Sequence, residues 1–277
     1  MDILKWADRF SIDCRLKYNS PATQKNYISQ VTSFLAHFKD ELEPKAIPTG
    51  KIKEWLLEAK TINTRKHRLC SVKAFYELTM KIPNKIDSIP YPRAEKKLPI
   101  VLSQAEVQRM FDACKNLKHK AIMCLLYSAG LRVSELINLK WSHIDRSRMV
   151  INIIAAKGNK DRQAMLSESI IPHLEEYYRM YKSKEYVFNG QNDEPQYTSR
   201  SVGEVMKQLA QKAGINKRVY THLMRHNCFT HMVENGIDIN LIQRLAGHTN
   251  VKTTSMYCHI SHNIISKINS PISQIRL

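Results

Sequence analysis

The sequence predicts a mainly α-helical protein of two lobes that carries one small β-hairpin. Three observations predict this fold class: apolar residues recur at helical spacing through most of the chain, one short β-branched segment precedes a turn, and a proline-rich stretch separates two helical regions. A chain of 277 residues can bury a core in each of two domains. We therefore expect a helical domain over residues 1–85, a linker over 86–99 and a second domain over 100–277.

The first lobe carries clear helix signals. Ser20 followed by Pro21 is typical of a helix N-terminus, with a capping side chain and then a proline at the first helical position. Apolar and aromatic residues then recur at helical spacing, at Tyr27, Val31, Phe34 and Phe38. Two later apolar stripes, around Trp55 and between residues 69 and 80, predict further helices.

The stretch from Ile82 to Pro99 breaks the helical pattern. Its prolines end helices and favour extended chain, and basic residues stand between them. The second lobe opens with Ser103 and Glu106, at the spacing of a capping box. Farther on, 149–154 predicts a strand, 157–160 a turn and 162–166 the returning strand of the hairpin.

Net charge indicates the kind of partner. Lysine and arginine number 43 against 25 acidic residues, a balance of +18, and both lobes carry an excess of basic residues. Charge spread in this way favours a polyanion contacted along both lobes, which could close on a duplex as a clamp. A solvated basic surface is the alternative, and charge alone does not separate DNA from RNA or from an anionic membrane.

One cationic cluster lies on the last predicted helix of the first lobe. It consists of Arg65, Lys66, Arg68 and Lys73. A basic helix start beside an apolar stripe can lie against DNA, so these residues are candidate DNA contacts. Taken without other information, a solvated charged face explains them better.

The sequence also predicts a compartment. No apolar run approaches the ~20 residues that cross a bilayer, and the first residues lack the pattern of a secretory signal. The 6 cysteines include no Cys-x-x-Cys pair, as expected of core thiols in a reducing compartment. We therefore expect a cytosolic protein that does not bind membranes.

Five short segments carry the most specific information. Three lie between residues 220 and 257: Thr221-His222-Leu223-Met224-Arg225-His226, Leu245-Ala246-Gly247-His248 and Thr253-Thr254-Ser255-Met256-Tyr257. The others are Gly130-Leu131-Arg132-Val133-Ser134-Glu135-Leu136 and Ala156-Lys157-Gly158-Asn159-Lys160. Together, and in this order, they resemble the tyrosine recombinase (phage integrase) family, in particular its Xer-like members. The resemblance covers residues from about 3 to 262.

The resemblance implies a site that breaks a DNA phosphodiester. Arg132 and Arg225 match the family's two phosphate-clamping arginines, and guanidiniums suit that role because they stay protonated and fork onto planar oxygen pairs. Glu135 stands at the family's acidic position, where the resemblance implies a supporting role. Taken by itself, Arg132 is more simply explained as an ion-pair partner of Glu135.

Tyr257 matches the family's nucleophile. A phenol with an ordinary pKa near 10 needs a neighbouring base, and His222 is the candidate. His248 would hydrogen-bond a non-bridging oxygen, and Lys157 would deliver a proton to the departing 5′ oxygen. Lys160 is the close alternative to Lys157 and a candidate DNA contact.

A metal site is the alternative for the histidines. His222 and His226 stand four residues apart, but the segment between them has no glutamate like that of zinc peptidases. A cationic Arg225 inside the pair also disfavours Zn²⁺. We therefore expect neither metal nor cofactor, and explain His226 and His231 more simply as packing or hydrogen-bonding residues.

The resemblance implies site-specific recombination of double-stranded DNA through a 3′-phosphotyrosyl intermediate and a Holliday junction. It implies a helical core-binding domain, a catalytic domain, and a homotetramer on two DNA sites, alone or with a related recombinase. From the short N-terminus we expect no separate arm-site-binding domain, as in Xer-type or simple integrases. The expected location is the cytoplasm of a bacterial or archaeal cell, at the nucleoid.

Three points stay open at the level of sequence. A type IB topoisomerase-like enzyme would use the same chemistry to nick and reseal one duplex, and a DNA-binding regulator would lack catalysis. An apolar tail, with isoleucines at 264, 265, 268, 272 and 275, needs a groove in its own subunit or in a neighbouring one. The target sequence, and the choice between dimer resolution, integration and inversion, do not follow from the residues.

Overall fold

A computed structural model of the chain describes residues 1–93, 100–156, 160–190, 196–247, 254, 255 and 257, with only the backbone at 155, 156 and 160. The chain forms two compact units, Met1–Lys97 and Leu98–Leu277. Across the described ranges, no helix is long and apolar enough to cross a membrane. The predicted tail beyond Tyr257 and the linker residues 94–99 lie outside these ranges.

The first unit contains four α-helices within residues 1–93, the part of it that the structure describes. They are α1 (Ile3–Lys17), α2 (Pro21–His37), α3 (Thr49–Leu57) and α4 (Ile62–Leu78). The predicted cap is confirmed, because the Ser20 side chain accepts a hydrogen bond from the Thr23 amide at 3.4 Å. Aromatic rings fill the core, with Phe34 packed edge-on against both Trp55 and Phe75.

The core of the first unit continues past the predicted end of the domain at residue 85. A 3₁₀ helix over Pro83–Ile86 follows α4, and both Ile86 and Ile89 are buried in the same core as Phe34. Pro83, where the sequence predicted the helical pattern to end, begins this 3₁₀ helix, and the chain after it returns both isoleucines to the core. Burying the side chains of Ile86 and Ile89 removes apolar surface from water, and this stabilises the turn.

The second unit contains seven α-helices in its described part. They are α5 (Gln104–Asp112), α6 (Leu117–Ser128), α7 (Val133–Ile137), α8 (Ile171–Tyr181), α9 (Ser199–Lys212), α10 (Thr221–Glu234) and α11 (Ile239–Ala246). The predicted capping box of Ser103 and Glu106 is present at the start of α5. Residues 121–126 of α6 are all buried, so α6 forms the centre of the core.

A small antiparallel sheet lies beside these helices. Its strands β1 (Ile144–Asp145), β2 (Val150–Ala156) and β3 (Lys160–Met165) follow the order β1-β2-β3. Ile151 pairs with Ala164 and Ile153 with Arg162 in the β2–β3 hairpin. The prediction of a mainly helical fold with one hairpin is thus confirmed, and the two-residue β1, too short to give a pattern, was not predicted.

Candidate active site

Helix α10 runs through the interior of the second unit and carries Arg225 into it. The Arg225 side chain is fully buried, with Nη1 donating to the Gly130 carbonyl and Nη2 to the Ala246 carbonyl. Its guanidinium also lies 4.8 Å from the centre of the Phe229 ring. Burial, followed by the positive charges of Arg132 and Arg162, lowers the pKa of Arg225 to about 10. The group therefore stays charged at neutral pH.

Arg132 begins α7 after a turn that requires glycine. Gly130 has φ +58°, and a Cβ on it would come 2.5 Å from the Phe229 ring. Arg132 Nη2 donates to the carbonyls of Ala246 and Gly247, each at 3.2 Å. The guanidiniums of Arg132 and Arg225, 93 positions apart in sequence, thus meet at the Ala246 carbonyl.

A buried carboxylate connects Arg132 to the hairpin. Glu135 accepts from the amide and Nη1 of Arg132 and from Nη2 of Arg162, each at 2.7 Å. Only 4% of the Glu135 side chain is exposed, and burial alone would raise its pKa. The hydrogen bonds and charge of Arg162, with those of Arg132, outweigh that effect and lower the pKa of Glu135 to about 2. The carboxylate is therefore ionised throughout the neutral range.

Carbonyl groups at the C-terminal end of α11 accept hydrogen bonds from all three guanidiniums. Arg162 donates to the Leu245 carbonyl, Arg225 to Ala246, and Arg132 to Ala246 and Gly247. Cations suit this end because the helix dipole is negative there. Gly247 has φ +61°, and a Cβ on it would lie 2.6 Å from Arg162 Cδ. Glycine is required at 247 both for the backbone conformation and for the packing of Arg162.

Tyr257 packs against the face of α10 that also carries the histidines. Its ring centre lies 5.8 Å from that of His226 and 5.7 Å from that of Phe229, and His226 lies 4.5 Å from His222. Tyr257 is only 1% exposed, and burial raises its pKa to about 12 although Arg225 acts to lower it. Removal of the phenolic proton therefore requires help from a base.

The two histidines of this face are held neutral. Desolvation, then the charges of Arg225 and Arg132, lowers the pKa of His222 below its ordinary 6.5. Burial, then the charges of His222 and Arg225, lowers the pKa of His226 to about 4. His222 lies in the first turn of α10 and is exposed, whereas His226 is only partly exposed, so His222 is the more accessible imidazole of the two.

Polar residues farther along α10 hydrogen-bond to the backbone of Leu102, near the start of the second unit. Asn227 accepts a hydrogen bond from the Leu102 amide at 3.1 Å, and His231 Nε2 lies 2.9 Å from the Leu102 carbonyl. A carbonyl only accepts, so Nε2 carries the proton and Nδ1 accepts from the Tyr127 hydroxyl at 2.8 Å. The prediction that His231 is a hydrogen-bonding residue is confirmed.

The structure thus brings part of the predicted site together. Arg132 and Arg225 converge on one carbonyl, while the ring centres of His222 and Tyr257 lie 4.5 and 5.8 Å from that of His226. Lys157 and His248 lie outside the described residues. So does the side chain of Lys160, whose backbone begins β3. Among the described residues, no cluster of three metal-ligating side chains occurs.

The candidate DNA contacts of the first unit differ in their surroundings. Arg68 donates to the Trp55 carbonyl at 2.8 Å and lies 4.4 Å from the centre of the Trp55 ring. Lys73 lies 3.4 Å from the carboxylate of Asp87, and Arg65 is half-buried. Lys66 is exposed. The guanidinium of Arg68 therefore already packs within its own unit, which the charge pattern did not predict.

Arg162 was missed at the level of sequence, although a signal for it was present. In β3 and the residue after it, Arg162, Ala164 and Leu166 share one face, and Ala164 and Leu166 are buried. A charged residue on the buried face of a strand needs a buried partner. The alternation of β3 therefore points to an ion pair, but it does not identify Glu135 as the partner.

The fold is that of a site-specific recombinase. A solved structure of the XerH site-specific recombinase bound to its palindromic difH substrate superimposes with a TM-score of 0.75. That match covers 88% of this chain and 78% of the XerH chain at 18% identity, a likeness of fold.

Sequence comparison gives the family. The model of the phage integrase family matches residues 101–263. A putative integrase/recombinase of Sinorhizobium fredii, y4qK, is 34% identical over 95% of this chain and 87% of its own length. The tyrosine recombinase XerA of Pyrococcus horikoshii is 31% identical over 86% of this chain and 84% of its own. The chain belongs to the phage integrase family and is a tyrosine recombinase, an enzyme of site-specific DNA recombination.

Proposed function

We propose that this recombinase cleaves and rejoins double-stranded DNA at the site formed by α7, α10 and the C-terminal end of α11. One observation carries the proposal: the Arg132 and Arg225 guanidiniums meet at the Ala246 carbonyl, on the helix pair that encloses Tyr257. Two fixed guanidiniums beside a phenol are suited to a phosphate that is attacked by that phenol.

The reaction we propose conserves bond energy. The Tyr257 Oη attacks the scissile phosphorus and gives its proton to His222, while the bond from phosphorus to the 5′ oxygen breaks and Lys157 protonates that oxygen. The products are a 3′-phosphotyrosyl bond and a free 5′-hydroxyl. A 5′-hydroxyl from the partner duplex then attacks the phosphotyrosine and releases Tyr257. Two such exchanges pass through a Holliday junction, with no need for ATP or a metal ion.

The charges of the site are suited to stabilise a pentavalent transition state. The guanidiniums of Arg132, Arg162 and Arg225 meet at the end of α11, and one carboxylate, Glu135, pairs with the first two, so the described part of the site has a net positive charge. Negative charge grows on the non-bridging oxygens as the phenol attacks. Preorganised donors in a desolvated site stabilise such charge without reorganising. His248 would add a further donor.

The pKa shifts of Tyr257 and His222 support the proposed proton transfer between them. Burial raises the pKa of Tyr257 to about 12, so the phenol reaches the reaction protonated. The lowered pKa of His222 leaves its imidazole neutral and able to accept a proton at neutral pH. His222 is thus suited to act as the general base.

Family membership and charge support a proposal for the substrate and the assembly. We propose that the basic first unit is the core-binding domain, with Arg65, Lys66, Arg68 and Lys73 near the DNA backbone, and that Lys160 contacts DNA beside the active site. The XerH structure, which contains its DNA substrate, supports double-stranded DNA as the partner. A homotetramer on two DNA sites would supply the four tyrosines of a complete exchange. DNA as substrate suggests the bacterial or archaeal cytoplasm as the location.

Covalent trapping on nicked DNA tests the chemistry. Cleavage close to a nick releases a short fragment, so religation fails and the protein stays attached. We expect an adduct with the parent chain, none with Tyr257→Phe, and a normal adduct with the control Tyr178→Phe, because residue 178 is 50% exposed. An undiminished adduct with Tyr257→Phe would remove this residue from the mechanism.

Junction formation tests the exchange. Two differently labelled duplexes carrying the target site should yield a four-way junction and then recombinants. Adducts with relaxed plasmid but no junction would indicate a type IB topoisomerase-like enzyme, and binding without adducts a regulator. The site itself can first be found by footprinting the adduct on genomic DNA.

A further inference from the structure

In the proposed reaction Arg162 contributes only positive charge, yet its side chain is held by several contacts near the site. It lies on β3, and only 6% of the side chain is exposed. Its Nη2 and Nε donate to the two oxygens of Glu135 at 2.7 and 3.3 Å, while Nη1 donates to the Leu245 carbonyl. One guanidinium therefore joins the hairpin, α7 and the end of α11.

The surroundings fix the stem of Arg162 as well as its head. A Cβ on Gly247 would come 2.6 Å from Arg162 Cδ, which shows how closely the backbone of residue 247 covers the side chain. The guanidinium also uses its Nε and both terminal nitrogens in hydrogen bonds. A residue that served only to fill space would not need this set of donors.

Glu135 is the point at which Arg162 acts on Arg132. The two arginines share this carboxylate, each with a 2.7 Å ion pair. Arg132 is the more exposed of the two, with 20% of its side chain accessible against 6% for Arg162. Without Arg162, the carboxylate would pair with Arg132 alone and would neutralise the guanidinium that faces the phosphate.

We propose that Arg162 is a positioning residue of the recombination reaction. By holding Glu135 and the end of α11, it keeps the guanidinium of Arg132 fixed and its charge available for the scissile phosphate. The inference rests on the proposed function, because it assumes that Arg132 binds that phosphate. It adds a residue of the hairpin to the six side chains expected from the family resemblance.

The first measurement is the single-turnover rate of adduct formation on nicked DNA at saturating protein. Arg162→Gln removes the charge and most of the donors, and we expect it to slow cleavage roughly 10- to 100-fold, the usual size of an outer-shell effect. Arg162→Lys keeps the charge with fewer hydrogen bonds and should fall in between. Arg148→Gln is the control, because Arg148 is an exposed arginine in the turn before β2 and should react at the parental rate.

A second substrate separates positioning from a loss of fold. A methylphosphonate at the scissile position replaces one charged non-bridging oxygen with a neutral methyl group, so the charge of Arg132 matters less. The defect of Arg162→Gln, and the smaller one of Arg162→Lys, should therefore shrink at least severalfold on this DNA. A partly unfolded variant would be slowed by the same factor on both substrates, and that result would overturn the proposal.

The outcomes distinguish this inference from the function on which it rests. If the parent forms no adduct through Tyr257, the proposed site and this inference fail together. If the parent reacts but both Arg162 variants match it on ordinary DNA, only the role of Arg162 is refuted. If Arg162→Gln does not fold, equal defects of Arg162→Lys on the two substrates refute the role, and a smaller defect on methylphosphonate DNA supports it.

Discussion

Replacing Glu135 by glutamine tests the electrostatic basis of the site. The substitution keeps the shape of the side chain but removes the charge that Arg132 and Arg162 share. Lowering the pKa from 4.5 to about 2 corresponds to roughly 3 kcal/mol of stabilisation in the folded state. Loss of one partner from a buried ion pair costs about 3–5 kcal/mol in other proteins. We therefore expect Glu135→Gln to lose about 3 kcal/mol of unfolding free energy at pH 7.

The stability lost in Glu135→Gln should depend on pH in a defined direction. A carboxylate whose pKa is lowered on folding stabilises the protein above its unfolded pKa, and that contribution is lost as pH falls through the folded pKa. For Glu135 the window runs from 4.5 down to about 2. The difference in stability between the parent and Glu135→Gln should be full above this window and should shrink within it.

Urea unfolding followed by fluorescence measures this difference in the full chain. With Trp6 and Trp55 changed to phenylalanine in every protein compared, Trp141 reports on the second unit alone. Glu168→Gln is the control, because Glu168 is exposed, and it should change stability by no more than about 0.5 kcal/mol. A gap between the parent and Glu135→Gln that stays constant from pH 7 to pH 3 would refute the buried ion-pair argument.

Four further outcomes are expected. Arg225→Ala should slow single-turnover cleavage roughly 10²- to 10³-fold, as loss of one oxyanion donor does in other enzymes. Cleavage at the parental rate would contradict the proposal that Arg225 binds the scissile phosphate. Gly247→Ala should lower the free energy of unfolding in urea by about 2–4 kcal/mol, because residue 247 has φ +61° and the new Cβ would lie 2.6 Å from Arg162 Cδ. An unchanged unfolding midpoint would show that the surrounding residues move to accommodate the Cβ. The cleavage rate should fall only below pH 6.5, because the pKa of His222 is lowered and its protonation removes the base. His222→Gln should show no such fall with pH. Activity should survive EDTA, and a metal requirement would reopen nuclease mechanisms.

Local patterns predicted most of the fold because they depend on neighbouring residues. The cap at Ser20, the capping box at Ser103 and the hairpin each follow from a few adjacent side chains, and all three are present. The continuation of the first core to Ile89 was not predicted, because burial there depends on a turn whose packing partners are distant in sequence.

The site was predictable to the extent that motifs name residue types. Motifs identified Arg132 and Arg225, but no local pattern shows that both donate to the Ala246 carbonyl. That contact joins three separate segments, and its acceptor is a backbone oxygen present at every position. Arg162 was missed for the same reason, since its partners lie 27 and 83 residues away.

Main-chain acceptors at the end of α11 have a consequence for genetics. Side-chain substitution at Leu245 or Ala246 cannot delete the oxygens that the three arginines bind, because every amino acid supplies one. A mutational survey would therefore report packing at these two positions and pass over their role as acceptors. Amide-to-ester replacement at the following residue weakens a single carbonyl acceptor and would reveal it.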